Sequence, residues 1–170
     1  MNEIDNDGIE GRGKRPVFLT VLCVLSFIYM GFGLLAGLGG VVSGPSSSEE
    51  MQRAKVDMAK QIGELKKQGM DSWVPTMQKI GRMVEQMNDN HYLSTFLNLI
   101  FTLLGIYAVF LMMKGAKLGF HLYIIHSILA IVGVYFYVSA ANIPTFVIIV
   151  NLTISGVFIF MYSRNLKWMR

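Results

Sequence analysis

The sequence predicts an all-α membrane protein with four transmembrane helices and an extracytoplasmic amphipathic helical hairpin between helices 1 and 2. Composition is the first indication, since 53% of the 170 residues are hydrophobic, only 15% are charged and the mean hydropathy is +0.48. Soluble domains contain about 25% charged residues. The other two indications are four long runs without a charged residue and the gathering of basic residues beside those runs.

The first helix follows a polar stretch. Residues 1–15 lack apolar periodicity and end in a basic pair, which predicts a cytoplasmic disordered tail. The next 26 residues, 17–42, carry no charge. As an α-helix they would extend about 39 Å, more than the roughly 30 Å hydrocarbon core of a bilayer, so we predict the first transmembrane helix over 16–42. A secretory signal peptide is the competing interpretation, but its apolar region would span only about 7 to 15 residues.

Residues 43–92 have an amphipathic pattern that predicts an extracytoplasmic helical hairpin. Ser47 and Glu50 have the spacing of a capping box, and Gly69 is typical of a helix end. Apolar residues recur at helical spacing on one face of each predicted helix. Because large apolar faces are unstable in water, we expect the pair to close over the outer end of the bundle, with Trp73 as an anchor. The candidate docking face consists of Met58, Ile62, Trp73, Met77, Ile80 and Val84.

The rest of the chain is divided by a basic turn and by a proline. Lys114 and Lys117 bound the turn, and Pro144 interrupts the last apolar stretch. The predicted segments are transmembrane helix 2 over 93–113, a cytoplasmic turn over 114–117, helix 3 over 118–138, an outer loop over 139–144, helix 4 over 145–162 and a cytoplasmic basic tail over 163–170.

The positions of Lys and Arg predict the orientation. Basic residues flank the apolar runs in both tails and in the 114–117 turn. The long loop keeps Arg53 and Arg82 about ten residues away from any run. It also balances seven basic residues with seven acidic ones. The positive-inside rule then places both termini in the cytoplasm, and we predict a multi-pass protein of the bacterial cytoplasmic (inner) membrane.

Catalytic and nucleic-acid-binding motifs are absent from the sequence. There is no HExxH, Walker A or GxSxG pattern, and no Asp, Glu, Lys or Arg falls within an apolar run. We therefore expect no enzymatic activity, no cofactor and no nucleic-acid partner. A metal site is not expected, because Cys23 is the only cysteine and His121 and His126 lie on different faces of one helix. The loop methionines would suit copper(I), but we favour an apolar stripe.

A few polar residues inside the apolar runs form a candidate interior polar cluster. The predicted topology places Asn98 and Asn151 at similar depth, His126 near the middle of the membrane, and Tyr137 on the stripe of His126. Such a cluster either holds a polar ligand or a water path, or supplies interhelical hydrogen bonds of at most about 1 to 2 kcal/mol each. We favour the hydrogen bonds.

Helix 1 carries a face of small residues, Gly33, Gly37 and Gly40. The spacing of Gly33 and Gly37 permits two helix backbones to approach closely. We favour packing within one chain over a homodimer seam, because this spacing is also frequent in single-chain bundles.

Three segments carry a resemblance: RPVFLTVLCVLSFI, LMMKGAKLGFHLYIIHSIL and MYSRNLKWM. Together they resemble a family of small four-span bacterial inner-membrane proteins of unknown function. The shared features concern topology and packing, so the resemblance implies an architecture and transfers no site residues.

Two functions fit the sequence. The first is a non-enzymatic membrane interaction or accessory protein that contacts the lipid bilayer and either a membrane protein partner or further copies of itself. The alternative is a small oligomeric channel or facilitator with a polar path near Asn98, His126 and Asn151.

Overall fold

Helices make up all regular structure of residues 15–170, the part of the chain that the computed structural model describes. The α-helices are α1 (Val17–Ser43), α2 (Ser48–Lys67), α3 (Val74–Asp89), α4 (His91–Met113), α5 (Lys117–Val132) and α6 (Thr145–Ser163). Short 3₁₀ turns lie at Asp71–Trp73, Gly133–Phe136 and Ala140–Asn142. The predicted tail over 1–15 lies outside the described residues apart from Arg15.

Four of the helices are long and apolar enough to cross a membrane. They are α1, α4, α5 with its 3₁₀ turn, and α6, with 27, 23, 20 and 19 residues. Many large apolar side chains on these helices face outwards, among them Phe32 (70% exposed) and Phe160 (61% exposed). Exposed apolar surface of this extent is typical of lipid contact. The prediction of an all-α chain with four such helices is confirmed, and the helices indicate a multi-pass membrane protein.

The spanning helices pack in the order α1, α4, α5, α6. Helix α4 lies in the middle and packs along both α1 and α5, while α6 packs on α5 and touches α1 over a short stretch. At the end of the bundle next to α2 and α3, here the hairpin end, His91 Nε2 lies 2.9 Å from the carbonyl oxygen of Gly40. At the opposite end, here the terminal end, Ser26 Oγ lies 2.8 Å from Tyr162 Oη.

Tightly packed side chains fill the terminal end. The buried cluster consists of Leu19, Leu22, Cys23, Met30, Ala108, Val109, Met112, Phe120, Tyr123, Tyr162 and Met169. The segment after α6 folds back onto the turn between α4 and α5, where Arg170 N donates to Gly115 O (2.8 Å) and Lys117 N donates to Arg170 O (2.9 Å). The residues predicted as a basic tail therefore cover this end of the bundle.

Helices α2 and α3 pair with each other outside the bundle. Lys55 Nζ lies 2.6 Å from Glu85 Oε1, and Met58 packs so closely on Gly81 that a Cβ there would lie 2.6 Å from its sulfur. Burial in this pair is shallow, because α2 has no buried residue and α3 buries only Val74. The apolar side chains between the two helices therefore stay partly open to the surroundings.

Polar bonds fasten α3 to the bundle. Arg82 Nε donates to Asn142 Oδ1 (2.8 Å), and Gln86 Oε1 accepts from Ser139 N (2.9 Å). Asn88 exchanges two bonds with the backbone of Ser46. The segments around 46 and 139–142 are not α-helical, so their backbone groups need such partners. We expect the apolar faces to make this attachment, but the bonds found here are polar: Gln86 and Asn88 bond backbone groups of Ser139 and Ser46, and Arg82 bonds the Asn142 side chain.

Trp73 also differs from expectation. It is 52% exposed and lies beside Pro144 and Phe146, where the chain enters α6. The three residues line one shallow pocket, and half of the Trp73 surface stays accessible. Trp73 is thus not a buried anchor.

The predicted capping box is present at the start of α2 and makes that helix sensitive to acid. Glu50 N donates to Ser47 Oγ (3.2 Å), and Ser47 N donates to Glu50 Oε2 (2.8 Å). The hydrogen bond from the Ser47 backbone, followed by the one from its hydroxyl, lowers the pKa of Glu50 below 4.5. A lowered folded-state pKa stabilises the helix above pH 4.5, and this stability is lost as the pH falls through the lower value.

We expect amide exchange at the first turn of α2 to accelerate on acidification below pH 4.5, beyond the intrinsic change of exchange rate with pH. Glu50→Gln keeps a capping side chain without a titratable group, so its exchange should follow the intrinsic pH dependence alone. Glu49→Gln, one residue earlier, is the matched control and should behave as the wild type does. An identical acid response in the wild type and Glu50→Gln would show that the carboxylate does not stabilise this turn.

Candidate functional site

A cavity of about 400 Å³ opens between the spanning helices in the half of the bundle nearer the hairpin. All four members of the predicted polar cluster line it. The full lining is Tyr29, Met30, Phe32, Gly33 and Ala36 from α1, Leu97, Asn98, Phe101 and Thr102 from α4, His126, Ala130, Gly133, Val134 and Tyr137 from α5 and the residues after it, and Asn151 from α6. The structure thus places the cluster around one space.

The polar side chains of the cavity bond mostly within their own helices. Thr102 Oγ1 donates to Asn98 Oδ1 (3.1 Å), and Asn151 Nδ2 donates to the carbonyl oxygen of Val147 (2.8 Å). Neither asparagine links one helix to another. The expectation that these residues supply interhelical hydrogen bonds is therefore not met by the two asparagines.

His126 does link two helices. Its Nδ1 lies 2.8 Å from the carbonyl oxygen of Phe101 on α4. A carbonyl oxygen only accepts, so Nδ1 must carry the proton, and in the neutral ring Nε2 is then an acceptor. His126 therefore fixes α5 against α4 through one nitrogen, and its second nitrogen is free of protein partners among residues 15–170.

Helix α6 covers the cavity poorly, since it touches α1 over a short stretch, where Ser26 bonds Tyr162, and Asn151 is its single residue in the lining. We infer that the cavity opens on the side between α1 and α6. Tyr29, at the edge of the cavity on α1, is 75% exposed. In a membrane, this opening faces the lipid at the level of the hydrocarbon core.

The glycine face of α1 packs on α4. A Cβ at Gly37 would lie 2.6 Å from Leu99 Cδ2, one at Gly40 would lie 3.4 Å from Thr95 Cγ2, and one at Gly33 would lie 3.6 Å from Thr102 Oγ1. All three glycines therefore face a helix of the same chain. Packing within one chain rather than a homodimer seam stays a prediction.

The sequence pattern did not identify one residue of the cavity lining and one contact outside the cavity. Tyr29 at the cavity edge was not assigned to the polar cluster, although Ser26 lies three residues earlier on the same helix. The link between Ser26 and Tyr162 joins residues 136 positions apart, and helical spacing relates only residues within one helix. The sequence contains one hint of this contact: Ser26 and Tyr162 are both polar and lie toward the same predicted end of their helices.

The predicted docking face is divided between two grooves of the α2–α3 pair. Met58, Ile62 and Val84 line a groove of about 500 Å³. Trp73 and Met77 line a second, of about 410 Å³, near the turn between the helices. Ile80 is half-buried and lines neither of them. The apolar face is therefore open along much of its length.

Within residues 15–170, no three His, Cys, Asp or Glu side chains lie close enough together to hold a metal ion. Cys23 is buried in the packed core of the terminal end.

Comparison with known proteins gives one match. No curated protein and no solved structure matches the chain. Residues 13–162 match a family described as a domain of unknown function (DUF8777), and the match includes α1, the hairpin, α4 and α5 and nearly all of α6. A family without a known function was expected from the resemblance, and this much is confirmed. The chain belongs to the DUF8777 family.

Proposed function

We propose that this chain is a non-enzymatic accessory protein of the bacterial cytoplasmic membrane that presents its α2–α3 hairpin to another membrane protein. In this proposal the chain crosses the bilayer four times, both termini lie in the cytoplasm and the hairpin lies outside. The positions of the basic residues support this orientation, since Lys114, Lys117, Arg164 and Lys167 all lie at the terminal end of the bundle.

One observation carries the proposal: the hairpin is held in place while its apolar groove stays open. Arg82 and Gln86 tie α3 to the bundle, yet Val84 in the groove is 45% exposed. Because the hairpin is already held on the bundle, it loses little further conformational entropy when a partner binds in the groove. Its methionines adapt to different apolar surfaces.

The charges of the hairpin favour a protein over a lipid surface as the partner. The 43–92 segment has seven basic and seven acidic residues, whereas helices that lie on anionic lipid have Lys- and Arg-rich polar faces. An apolar helix laid into the groove would bury surface worth about 25 cal/mol per Å².

The experiment is extraction of the affinity-tagged chain from membranes with mild detergent, followed by analysis of what remains bound. We expect a stoichiometric companion with the wild type and its loss with Met58→Glu, because a carboxylate would replace an apolar contact and would lose its hydration when an apolar partner surface covers the groove. Ala54→Glu, at an exposed groove position, should also release it. Val56→Glu, on the same helix but outside the groove, is the matched control and should retain it.

Retention of the companion by both groove variants would contradict the proposed surface, and so would the absence of any stoichiometric companion from the wild type. If the companion proves to be a second copy of the chain, the groove binds another copy in a homo-oligomer and not a different membrane protein.

A small oligomeric channel or facilitator is the alternative function, and the cavity is the observation that favours it. Against it, the cavity lies only in the half nearer the hairpin, and the terminal end is filled by side chains such as Leu19, Met112 and Tyr162, each no more than 1% exposed. A pore through one copy would have to pass this packed core. We therefore place the accessory function first.

A further inference from the structure

The chemistry of the intramembrane cavity differs from that of an ordinary packing gap. Its lining combines aromatic and aliphatic side chains with hydrogen-bonding groups, and no residue of the lining carries a formal charge at neutral pH. Ligand pockets in proteins have this composition, with volumes of about 300 to 1,000 Å³. The volume of about 400 Å³ falls within that range.

The polar atoms left over in the cavity include both donors and acceptors. Asn98 uses Oδ1 to accept from Thr102, which leaves its Nδ2 as a donor. Asn151 uses Nδ2 within its own helix, which leaves its Oδ1 as an acceptor. His126 Nε2 is a second acceptor, because Nδ1 holds the proton that bonds Phe101. A hydroxyl group, which both donates and accepts, matches this set.

Access to the cavity is from the lipid. The opening between α1 and α6 lies next to Tyr29 and Phe32, which are 75% and 70% exposed. A lipid that enters there can place its head group in the cavity while its apolar chain extends between the two helices and among the lipid tails. The terminal end offers no comparable route, since it is packed with buried side chains.

We propose that this cavity binds an uncharged lipid whose head group carries a free hydroxyl, of the diacylglycerol class. Its hydroxyl accepts from Asn98 and donates to Asn151, while its acyl chains pass out between α1 and α6. A phosphate or carboxylate head is disfavoured, because the lining would bury its charge without a cation to pair with it. The site is separate from the hairpin groove and does not depend on any partner there.

The test uses the full-length chain in phosphatidylcholine nanodiscs that contain a photoactivatable diacylglycerol at low mole fraction. After irradiation we expect labelled peptides from α1, α4 and α5 around the cavity, and competition by unlabelled dioctanoylglycerol. The same photoactivatable chain carried on phosphatidylcholine or on a free fatty acid should label these peptides less. This comparison needs no variant, so it stands even where a substitution prevents folding.

Two variants locate the binding groups. Asn151→Leu should lower cavity labelling by about three- to tenfold, the change expected for one hydrogen bond. Thr153→Leu is the matched control, since Thr153 is exposed on the same helix, donates to the Ile149 carbonyl at 2.8 Å, and does not line the cavity. Ala36→Phe places a ring in the cavity from α1 and should reduce labelling similarly.

Labelling that is equal for all three head groups would overturn the proposal, because the cavity would then be only a space filled by bulk lipid. Equal labelling of Asn151→Leu and Thr153→Leu would overturn the assigned hydrogen bonds and with them the preference for a hydroxyl. The proposal is supported if the wild type clearly prefers diacylglycerol and this preference is lost in Asn151→Leu but kept in Thr153→Leu.

Discussion

Gly119→Ala is expected to destabilise the bundle by about 3 kcal/mol, the upper end of the range for overpacked cores. A Cβ at Gly119 would lie 2.5 Å from the carbonyl oxygen of Ala108 and 2.6 Å from the amide nitrogen of Met112. Both are backbone atoms of α4, so no side-chain rotation relieves the clash and the two helices must separate. Thermal unfolding in detergent should show a fall in Tm of about 6 to 12 °C.

Two other glycines provide matched controls for Gly119→Ala. A Cβ at Gly33 would lie 3.6 Å from Thr102 Oγ1, an ordinary contact, and one at Gly156 would meet no atom within 4 Å. Gly33→Ala should be nearly neutral, and Gly156→Ala should stabilise by up to about 1 kcal/mol through helix propensity. Equal small effects at all three positions would show that α4 and α5 do not approach this closely.

Tyr162→Ala is expected to cost about 3 to 5 kcal/mol, the usual loss for removing a large buried ring. Tyr162 is fully buried, its ring centroid lies 4.9 Å from that of Tyr123, and its hydroxyl bonds Ser26. These contacts join α6 to both α5 and α1 at the terminal end. Since Tyr162 is the only buried residue of α6, its loss should loosen that helix first, and proteolysis in detergent should cut near α6.

Graded variants separate the ring of Tyr162 from its hydroxyl. Tyr162→Phe keeps the packing and removes one hydrogen bond, so it should cost about 0.5 to 1.5 kcal/mol. Tyr107→Ala, at a tyrosine of α4 that is 53% exposed, should change stability by about 0.5 kcal/mol or less. If Tyr107→Ala and Tyr162→Ala proved equally mild, α6 would have to be held by contacts other than those of Tyr162.

Local pattern predicted much of this fold. Uninterrupted apolar runs predicted the four spanning helices, because crossing the hydrocarbon core requires about 20 apolar residues in a row. Helical spacing placed Asn98, His126, Tyr137 and Asn151 on faces that the structure brings around one cavity. The capping box at Ser47 was recognisable because all its parts lie within four residues.

Contacts between segments that lie far apart along the chain could not be predicted from the sequence. A Cβ at Gly119 would clash with the backbone of α4, whereas the more obvious Gly33 makes only ordinary contact. Gly119 does have a glycine four residues earlier, but Gly115 lies in the turn before α5, so the pair does not form one helix face. The attachment of α3 by Arg82 and Gln86 could not be foreseen, since their partners, the Asn142 side chain and the Ser139 backbone N–H, lie 60 and 53 positions away. Hydrophobic pattern identified the faces of α2 and α3 but not how far they would be covered.

The central claim is that the hairpin and the 114–117 turn lie on opposite sides of the membrane, and cysteine accessibility tests it most directly. Ser48→Cys and Lys114→Cys are made singly in a Cys23→Ala background, and intact cells are treated with a membrane-impermeant thiol reagent. Both positions are exposed, and Lys114 is preferable to Gly115, whose φ of +79° would strain a cysteine. We predict that Ser48→Cys is labelled in intact cells and Lys114→Cys only after the cells are permeabilised, whereas labelling of Lys114→Cys in intact cells would contradict the account.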